Sequence, residues 1–489
     1  MYKRRLRTDT RAGQAARLMR DAEQFADYGL VGDLPTVDFP RLLERTRAIV
    51  EQLHNKKKLS DSLRGAGVTL FDEAGAAKFI DAHHIALGDG TRLQGESFII
   101  CAGGHARRLN FPGSELTLTA SDVWTMRAQP ASVAIVGAAA TGCQLASVFD
   151  TFGSKVTLLE LAPRILSVND EMISKNISAA FIRRDIDVVV GISGVKQVER
   201  HGDGLRLTYT RSEEDQVLDV AAVIISAGWP GNAEALNLTA ANVESERGFI
   251  KVDSTLRSSQ PHIFAAGDIT GRMMLVQGAT DEGRAAAQNA VLGRRRLHEH
   301  RVVPNGGFTD PEYGSVGLTE AQAREQHEVA VATVDYAVLD RAVIDGRTEG
   351  SCKLIVSRET HGLLGAHVVG EQAVEIVHIV AALMQAHSTI ERLAQLEIAY
   401  PTFAAVLGIA ARQISRDLGT TLLAPDWGGG ELIRPAEWEK AHGVRSQESG
   451  HHRKGAACCA PTAPIAANGD RPATRCAPPR DIRLQKPCF

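Results

Sequence analysis

Gly137, Ala139 and Gly142 occupy the three positions of a G-x-G-x-x-G turn within SVAIVGAAATGCQLASVFDTFGSKVTLLE, residues 132–160. An apolar run precedes the turn, a helical pattern follows it, and a second apolar run ends on Glu160. That order is a βαβ unit, whose turn brings the backbone close to a pyrophosphate and offers helix-start N–H groups to the anion. An acid at the end of the second strand accepts hydrogen bonds from a ribose 2′-OH and repels a 2′-phosphate, so Glu160 favours NAD(H) over NADP(H). Ala139 departs from the motif by placing a methyl group where the phosphate should come close. A Gly/Ala-rich turn that binds nothing is the competing reading of the same residues.

The elements that must position this turn belong to a chain of 489 residues, 44% of them hydrophobic, with a formal net charge of −3. That length allows two to four domains, and the charge gives no footprint for a nucleic-acid partner. The basic opening (Lys3, Arg4, Arg5, Arg7) runs into further charged residues without an apolar core, so it does not read as a secretory signal. The longest apolar stretch, 373–386, contains Glu375 and His378 and is too short for a membrane span. A cytoplasmic protein is expected. The seven cysteines give no disulfide framework.

Helical spacing is predicted over 12–30 and 39–63, and strands over 68–70, 85–87 and 98–100, with a turn at Gly88-Asp89-Gly90. The 98–100 strand runs into FIICAGGHARRLNFPG. Farther on, Ile263-Phe264-Ala265-Ala266-Gly267-Asp268 is a buried strand ending in Gly-Asp, where a carboxylate can accept from a sugar-alcohol hydroxyl while the glycine admits the ligand.

Taken together, these segments resemble the pyridine nucleotide-disulfide oxidoreductases, the flavoprotein family of dihydrolipoyl dehydrogenase, glutathione reductase and mercuric reductase. Ile100 to Gly103 stands at the family's I-A-T-G, Phe111-Pro112-Gly113 at its I-P-G, Ala227 to Asn232 at its G-R-x-P-N, and Ile263 to Asp268 at its second FAD motif. LVQGATDEG (275–283) matches the helix start that lies under the flavin, and the segment from Val302 onward resembles the C-terminal interface domain. The resemblance covers about residues 12–420. It implies an α/β, FAD/NAD(P)-binding, Rossmann-like two-domain flavoprotein fold, N-terminally incomplete, plus an α+β C-terminal dimerisation domain. The implied division is 1–126 partial FAD-binding domain, 127–247 NAD(P)H-binding domain, 248–300 second FAD-binding part, 301–422 dimerisation domain and 423–489 disordered tail. Gly137, Ala139, Gly142, Glu160 and Gly228 are then the NAD residues, and Gly103, Gly267, Asp268, Gln277 and Ala279 the FAD residues.

Three departures qualify the function. The family's first G-x-G-x-x-G unit and its C-x-x-x-x-C pair with the lysine have no counterpart in the sequence, which is expected to start just after them. Its H-P-T-x-x-E is Tyr400-Pro401-Thr402-Phe403-Ala404-Ala405, which removes the general acid and the glutamate that orients it. Its glutamate beside the flavin falls at Gln144. The resemblance therefore implies a FAD-dependent NAD(P)H oxidoreductase that passes hydride from NADH to flavin and on to a small-molecule acceptor (quinone, dye or oxygen) without a redox disulfide. Gln144 and Tyr400 are its candidate catalytic positions, and a homodimer through the C-terminal domain is implied. Two alternatives stand beside it: a mercuric reductase-like or dihydrolipoyl dehydrogenase-like enzyme if the true N-terminus is longer, and an inactive nucleotide-binding scaffold. No metal site is assigned. His451, His452, Cys458 and Cys459 read as soft residues of a solvated tail.

Overall fold

A computed structural model describes residues 2–293, 296–300 and 302–420. The tail readings, including Cys458 and Cys459, lie outside them. The chain opens on three helices, α1 (Tyr2–Glu23), α2 (Phe39–Lys57) and α3 (Leu59–Gly65). The basic opening is thus helical from Tyr2. The helical pattern expected over 39–63 is divided at Lys58, whose φ of 40° interrupts the helical backbone. Asp38 starts α2 by accepting from the Arg41 N–H at 3.1 Å. Ala12 and Ala16 of α1 and Phe39 and Leu43 of α2 enter the same core as Phe149 and Phe152.

Three short strands follow, β1 (Lys78–Phe79), β2 (His84–Ala86) and β3 (Arg92–Gln94), which pair in sequence order as an antiparallel meander, and then β4 (Phe98–Ile100). The strand expected at 68–70 does not form: Val68 is exposed and the run has no neighbouring strand to complete its backbone hydrogen bonds.

The next lobe contains β5 (Leu118–Thr119), β6 (Ser132–Val136), α4 (Ala140–Thr151), β7 (Lys155–Glu160), α5 (Glu171–Arg183) and β8 (Asp187–Val190). An antiparallel excursion, β9 (Ile192–His201), β10 (Gly204–Arg211) and β11 (Glu214–Val220), returns through β12 (Ala222–Ile225). The strands β5-β12-β6-β7-β8 form one parallel sheet, so their C-terminal ends lie on one side, where crossover connections leave room for a ligand. Val133, Ala134, Ile135 and Val136 are all buried, as a central parallel strand requires.

The hairpin β13 (Ser245–Glu246) and β14 (Phe249–Ile250) leads to β15 (Ile263–Ala265), which pairs in parallel with β4, and to α6 (Val276–Leu292). The remaining domain holds β16 (Asn305–Gly307), β17 (Tyr313–Gly317), α7 (Glu320–Gln326), β18 (Val329–Asp335), α8 (Asp340–Ile344), β19 (Ser351–Ser357) and β20 (Leu363–Val369). It ends in α9 (Ala373–Gln385), α10 (Ile390–Ala394) and α11 (Ala405–Asp417). Its sheet, β16-β17-β20-β19-β18, is antiparallel throughout, and α9, α10 and α11 close one apolar core over it. The chain therefore builds a parallel-sheet lobe, a second lobe around the paired β4 and β15, and a C-terminal domain on an antiparallel sheet. Among the described residues no helix is long and apolar enough to cross a membrane.

Charge fastens these parts together. Asp310 takes both Arg20 of α1 and Arg184 beside α5, and Arg17 and Arg20 also reach Glu371. Lys353 bridges Asp170 at 2.8 Å and Glu320 at 2.7 Å in a nearly closed pocket.

Candidate functional site

The turn after β6 is shaped by what cannot fit there. Gly137 has φ +103°, and a Cβ on it would stand 2.5 Å from the Ser226 carbonyl oxygen. A Cβ on Gly142 would overlap the Gly137 carbonyl. Both positions demand glycine, the first for its dihedral and its neighbour, the second for the contact of α4 with the turn. Ala139 precedes α4 in extended conformation (φ −75°, ψ −177°), and no side chain caps the helix. Its first N–H groups therefore keep their capacity for an anion. Ala139 is exposed, so its methyl group is not buried in the turn.

Glu160 is tied into this turn. Its carboxylate accepts from the Ala138 N–H at 2.6 Å and from the Ala162 N–H at 2.9 Å, one on each oxygen. The acid at the end of the second strand thus clips the glycine turn to β7, a role its sequence position does not announce.

A second turn forms where β4 and β15 end side by side. Their parallel register sets Ile100 opposite Ala265, so Gly103 and Gly267 emerge at the same end. Gly103 (φ +67°) accepts from the Asn232 N–H at 3.0 Å, while the Asn232 side chain donates to Ala102 O at 2.8 Å. Gly267 (φ +81°) donates its N–H to Glu282 Oε2 at 2.7 Å, and a Cβ on it would come within 3.2 Å of the Ala279 methyl.

Asp268 is 5% exposed, and its Oδ2 has no hydrogen-bond partner among the described residues. Burial raises its pKa, a hydrogen bond from the Trp229 side chain lowers it, and the Glu282 charge adds to the rise. An orphaned buried acceptor beside a side-chain-free glycine fits a ligand that brings a hydroxyl donor. Such a donor matches the sugar alcohol of FAD, so these residues fit that group.

The two turns meet along a pair of chain crossings. Arg107 N–H donates to Gly228 O at 3.1 Å, His105 N–H donates to Pro230 O at 3.0 Å, and Gly104 and Gly231 form a bridge. Gly228 (φ +111°) lies two residues past Ser226, whose carbonyl closes over Gly137, so it belongs to the first turn.

The other predicted positions are scattered. Gln144 is buried on α4, and its Oε1 has no partner among the described residues. Gln277 starts α6 but donates to Pro304 O at 2.9 Å, and Ala279 packs on the Gly267 side of that helix. Tyr400 is 78% exposed. Its hydroxyl donates to Asp340 Oδ2 at 2.8 Å, which raises the phenol's pKa, and among the described residues it shares no hydrogen bond with Gln144 or either turn. The described cysteines, exposed Cys101 and buried Cys143 and Cys352, are separate free thiols, and burial pushes Cys143 well up. Sequence reasoning missed Asn232 and Glu282. Both lie inside quoted segments, but Asn232 depends on partners distant in the chain and Glu282 on how α6 packs beside the Gly267 turn.

Residues 19–283 match the pyridine nucleotide-disulphide oxidoreductase family and residues 303–411 match its dimerisation domain. A mercuric reductase from Staphylococcus aureus is 29% identical over 394 residues, covering 80% of this chain and 71% of that protein. A dihydrolipoyl dehydrogenase from Chlamydia muridarum is 30% identical over 398 residues, covering 79% and 82%. Among solved structures, the HOCl-induced flavoprotein disulfide reductase RclA from Escherichia coli superimposes with a TM-score of 0.72 at 25% identity, covering 83% of this chain and 89% of that one.

Proposed function

The chain belongs to the pyridine nucleotide-disulphide oxidoreductase family, whose members are FAD-dependent oxidoreductases, and from that premise we propose that it oxidises NADH in preference to NADPH and reduces a small-molecule acceptor. FAD, when bound, supplies the hydride-accepting and electron-releasing chemistry that no amino-acid side chain provides. The chain's own residues bind and orient.

Gly137, Ala139 and Gly142 present the α4 N-terminus to the dinucleotide pyrophosphate, with Gly228 closing the same turn. Glu160, already held in place by two backbone N–H groups, offers its remaining lone pairs to a ribose 2′-OH and repels a 2′-phosphate. Gly103 and Gly267 leave room for the flavin nucleotide, Asp268 accepts from its sugar alcohol, and Gln277 and Ala279 set the start of α6 beside it. Gln144 lies on α4, facing neither solvent nor a protein partner for its Oε1, and serves to position the nicotinamide side.

In this division 127–247 binds NADH, while 1–126 and 248–300 bind FAD. The match of 303–411 to the dimerisation domain supports a homodimer, in which Tyr400 lines the acceptor side. With no paired cysteines among the described residues, the reading sends electrons to a quinone, a dye or dioxygen rather than through a disulfide.

The observation that carries the proposal is the orphaned Asp268 Oδ2 at the shared end of β4 and β15, joined by the chain crossings to the Gly137–Gly142 turn. The test is the visible spectrum of the purified chain with added FAD, before and after anaerobic NADH. Retained flavin absorption that bleaches on NADH supports it, and a chain that takes up no FAD overturns it. Cofactor choice is tested with Glu160→Ala: NADH affinity should fall about tenfold more than NADPH affinity, and equal losses would reduce Glu160 to its clip role.

A further inference from the structure

Beneath the Gly267–Asp268 turn, three side chains remain that no step above uses. Glu282 of α6 is fully buried, His298 is 2% exposed, and His300 lies close to buried. One ligand atom from each falls within 4.8 Å of the others. We propose that Glu282, His298 and His300 form a binding site for one divalent transition-metal ion of the zinc class.

Each contact in the cluster has a place in this assignment. His300 Nε2 lies 2.8 Å from Glu282 Oε1, while Glu282 Oε2 stays on the Gly267 N–H, so one carboxylate oxygen faces the imidazole and the other is already held. His298 Nε2 lies 2.9 Å from Asp281 Oδ2, and its Nδ1 is buried with no hydrogen-bond partner among the described residues. A histidine whose far nitrogen is held by a carboxylate is the arrangement in which the near nitrogen binds metal, because that second bond fixes tautomer and ring direction. The two rings cross at 80° with centroids 4.5 Å apart, so they meet at an edge rather than stacking flat.

A plain hydrogen bond between His300 and Glu282 accounts for two of the three residues and leaves His298 Nδ1 buried and unpaired. An ion on Nδ1 of His298, Nε2 of His300 and Oε1 of Glu282 satisfies all three. Two imidazoles and one carboxylate suit Zn(II) and its neighbours rather than Mg(II) or Ca(II), which prefer all-oxygen sets. His300 and Asp281 also line a cavity of about 810 Å³ running between α6 and α9, which gives an ion a route in and leaves a coordination position open to solvent.

The experiment uses the full chain with its soft tail residues silenced, His451 and His452 changed to alanine and Cys458, Cys459, Cys476 and Cys488 to serine. Zn(II) is titrated by calorimetry and Co(II) by visible absorption. The expected result is one equivalent per chain, a rise in melting temperature with Zn(II), and a Co(II) spectrum without thiolate bands. His298→Gln and His300→Gln should each weaken binding at least tenfold, and Asp281→Asn, which reaches the ion through His298, by roughly tenfold. Should His298→Gln fail to fold, His300→Gln carries the comparison alone. Absence of stoichiometric binding in the tail-substituted chain, or binding that His300→Gln leaves unchanged, overturns the site.

Discussion

The two glycine turns hold their carboxylates in opposite states. At the end of β7, Glu160 has both oxygens on backbone N–H groups of its own lobe, and the turn it clips is closed by contacts among 137–142 and Ser226. At the end of β15, Asp268 is more deeply buried, its pKa is raised by that burial, and one oxygen has no partner among the described residues. The first turn's carboxylate has a backbone donor on each oxygen; the second carries a cost that a ligand's hydroxyl would relieve. A motif can thus be rigid before its ligand arrives or be stabilised by it, and the distribution of hydrogen bonds tells which.

The harshest way to break this comparison is Gly142→Val. Its Cβ would meet the Gly137 carbonyl, a backbone atom that cannot swing aside, so we expect a loss of about 3 kcal/mol or more and no measurable NADH binding, read by thermal melting and fluorescence titration. If the variant melts normally, the turn is looser than it looks.

Glu312, a partly buried carboxyl outside both turns, is the control. Burial lifts its pKa to about 7, with the Glu371 charge adding to the rise and the Val374 N–H opposing it. The folded chain therefore holds a proton that the unfolded chain releases near the ordinary glutamate value. The stability this proton supplies is present in acid and lost as pH rises through about 7. Glu312→Gln should leave melting at pH 4.5 nearly unchanged and raise stability at pH 8 by about 2 to 3 kcal/mol. A pH-independent effect would locate the cost elsewhere.

Asp268→Asn sharpens the contrast between the turns, because its two effects have opposite signs. The flavin-free chain should gain about 1 kcal/mol, while FAD affinity falls about tenfold and NADH affinity holds, measured by melting and by flavin and NADH fluorescence. A flavin-free chain made less stable would mean that Asp268 is structurally satisfied.

Tyr400→Phe is the mildest test. It removes one exposed hydrogen bond to Asp340, and stability should move by less than about 0.5 kcal/mol. With FAD and NADH binding unchanged, any change in turnover would then report its place on the acceptor side.

What was legible in the sequence follows the distance over which each feature is decided. The βαβ unit was readable because Gly137, Gly142 and the apolar runs of β6 and β7 act on neighbours within thirty or so residues, where period and turn chemistry speak directly. Gly267-Asp268 was readable for the same reason. The 68–70 strand was not, because a short run such as Val68-Thr69-Leu70 becomes a strand only beside a partner, and none lies there among the described residues. The division of the second helix at Lys58 was hidden too, since lysine gives no hint of a left-handed backbone. Asn232 gained its role from Gly103, far back in the chain, and Glu282 from the packing of α6 beside Gly267, which sequence spacing does not show. Spacing alone cannot reveal such partners.

The ionic latch on α1 bears on how the chain is made. Arg20 closes on Asp310, 290 residues further along. At ~5–20 residues per second, a ribosome needs roughly 15 to 60 s to deliver that partner. Until then the core that Ala12 and Ala16 share with Phe149 and Phe152 is what holds the described part of α1 in place. Helix α1 is thus locked only after Asp310 has been made, and a nascent chain stalled before Asp310 should leave it open to proteases and chaperones.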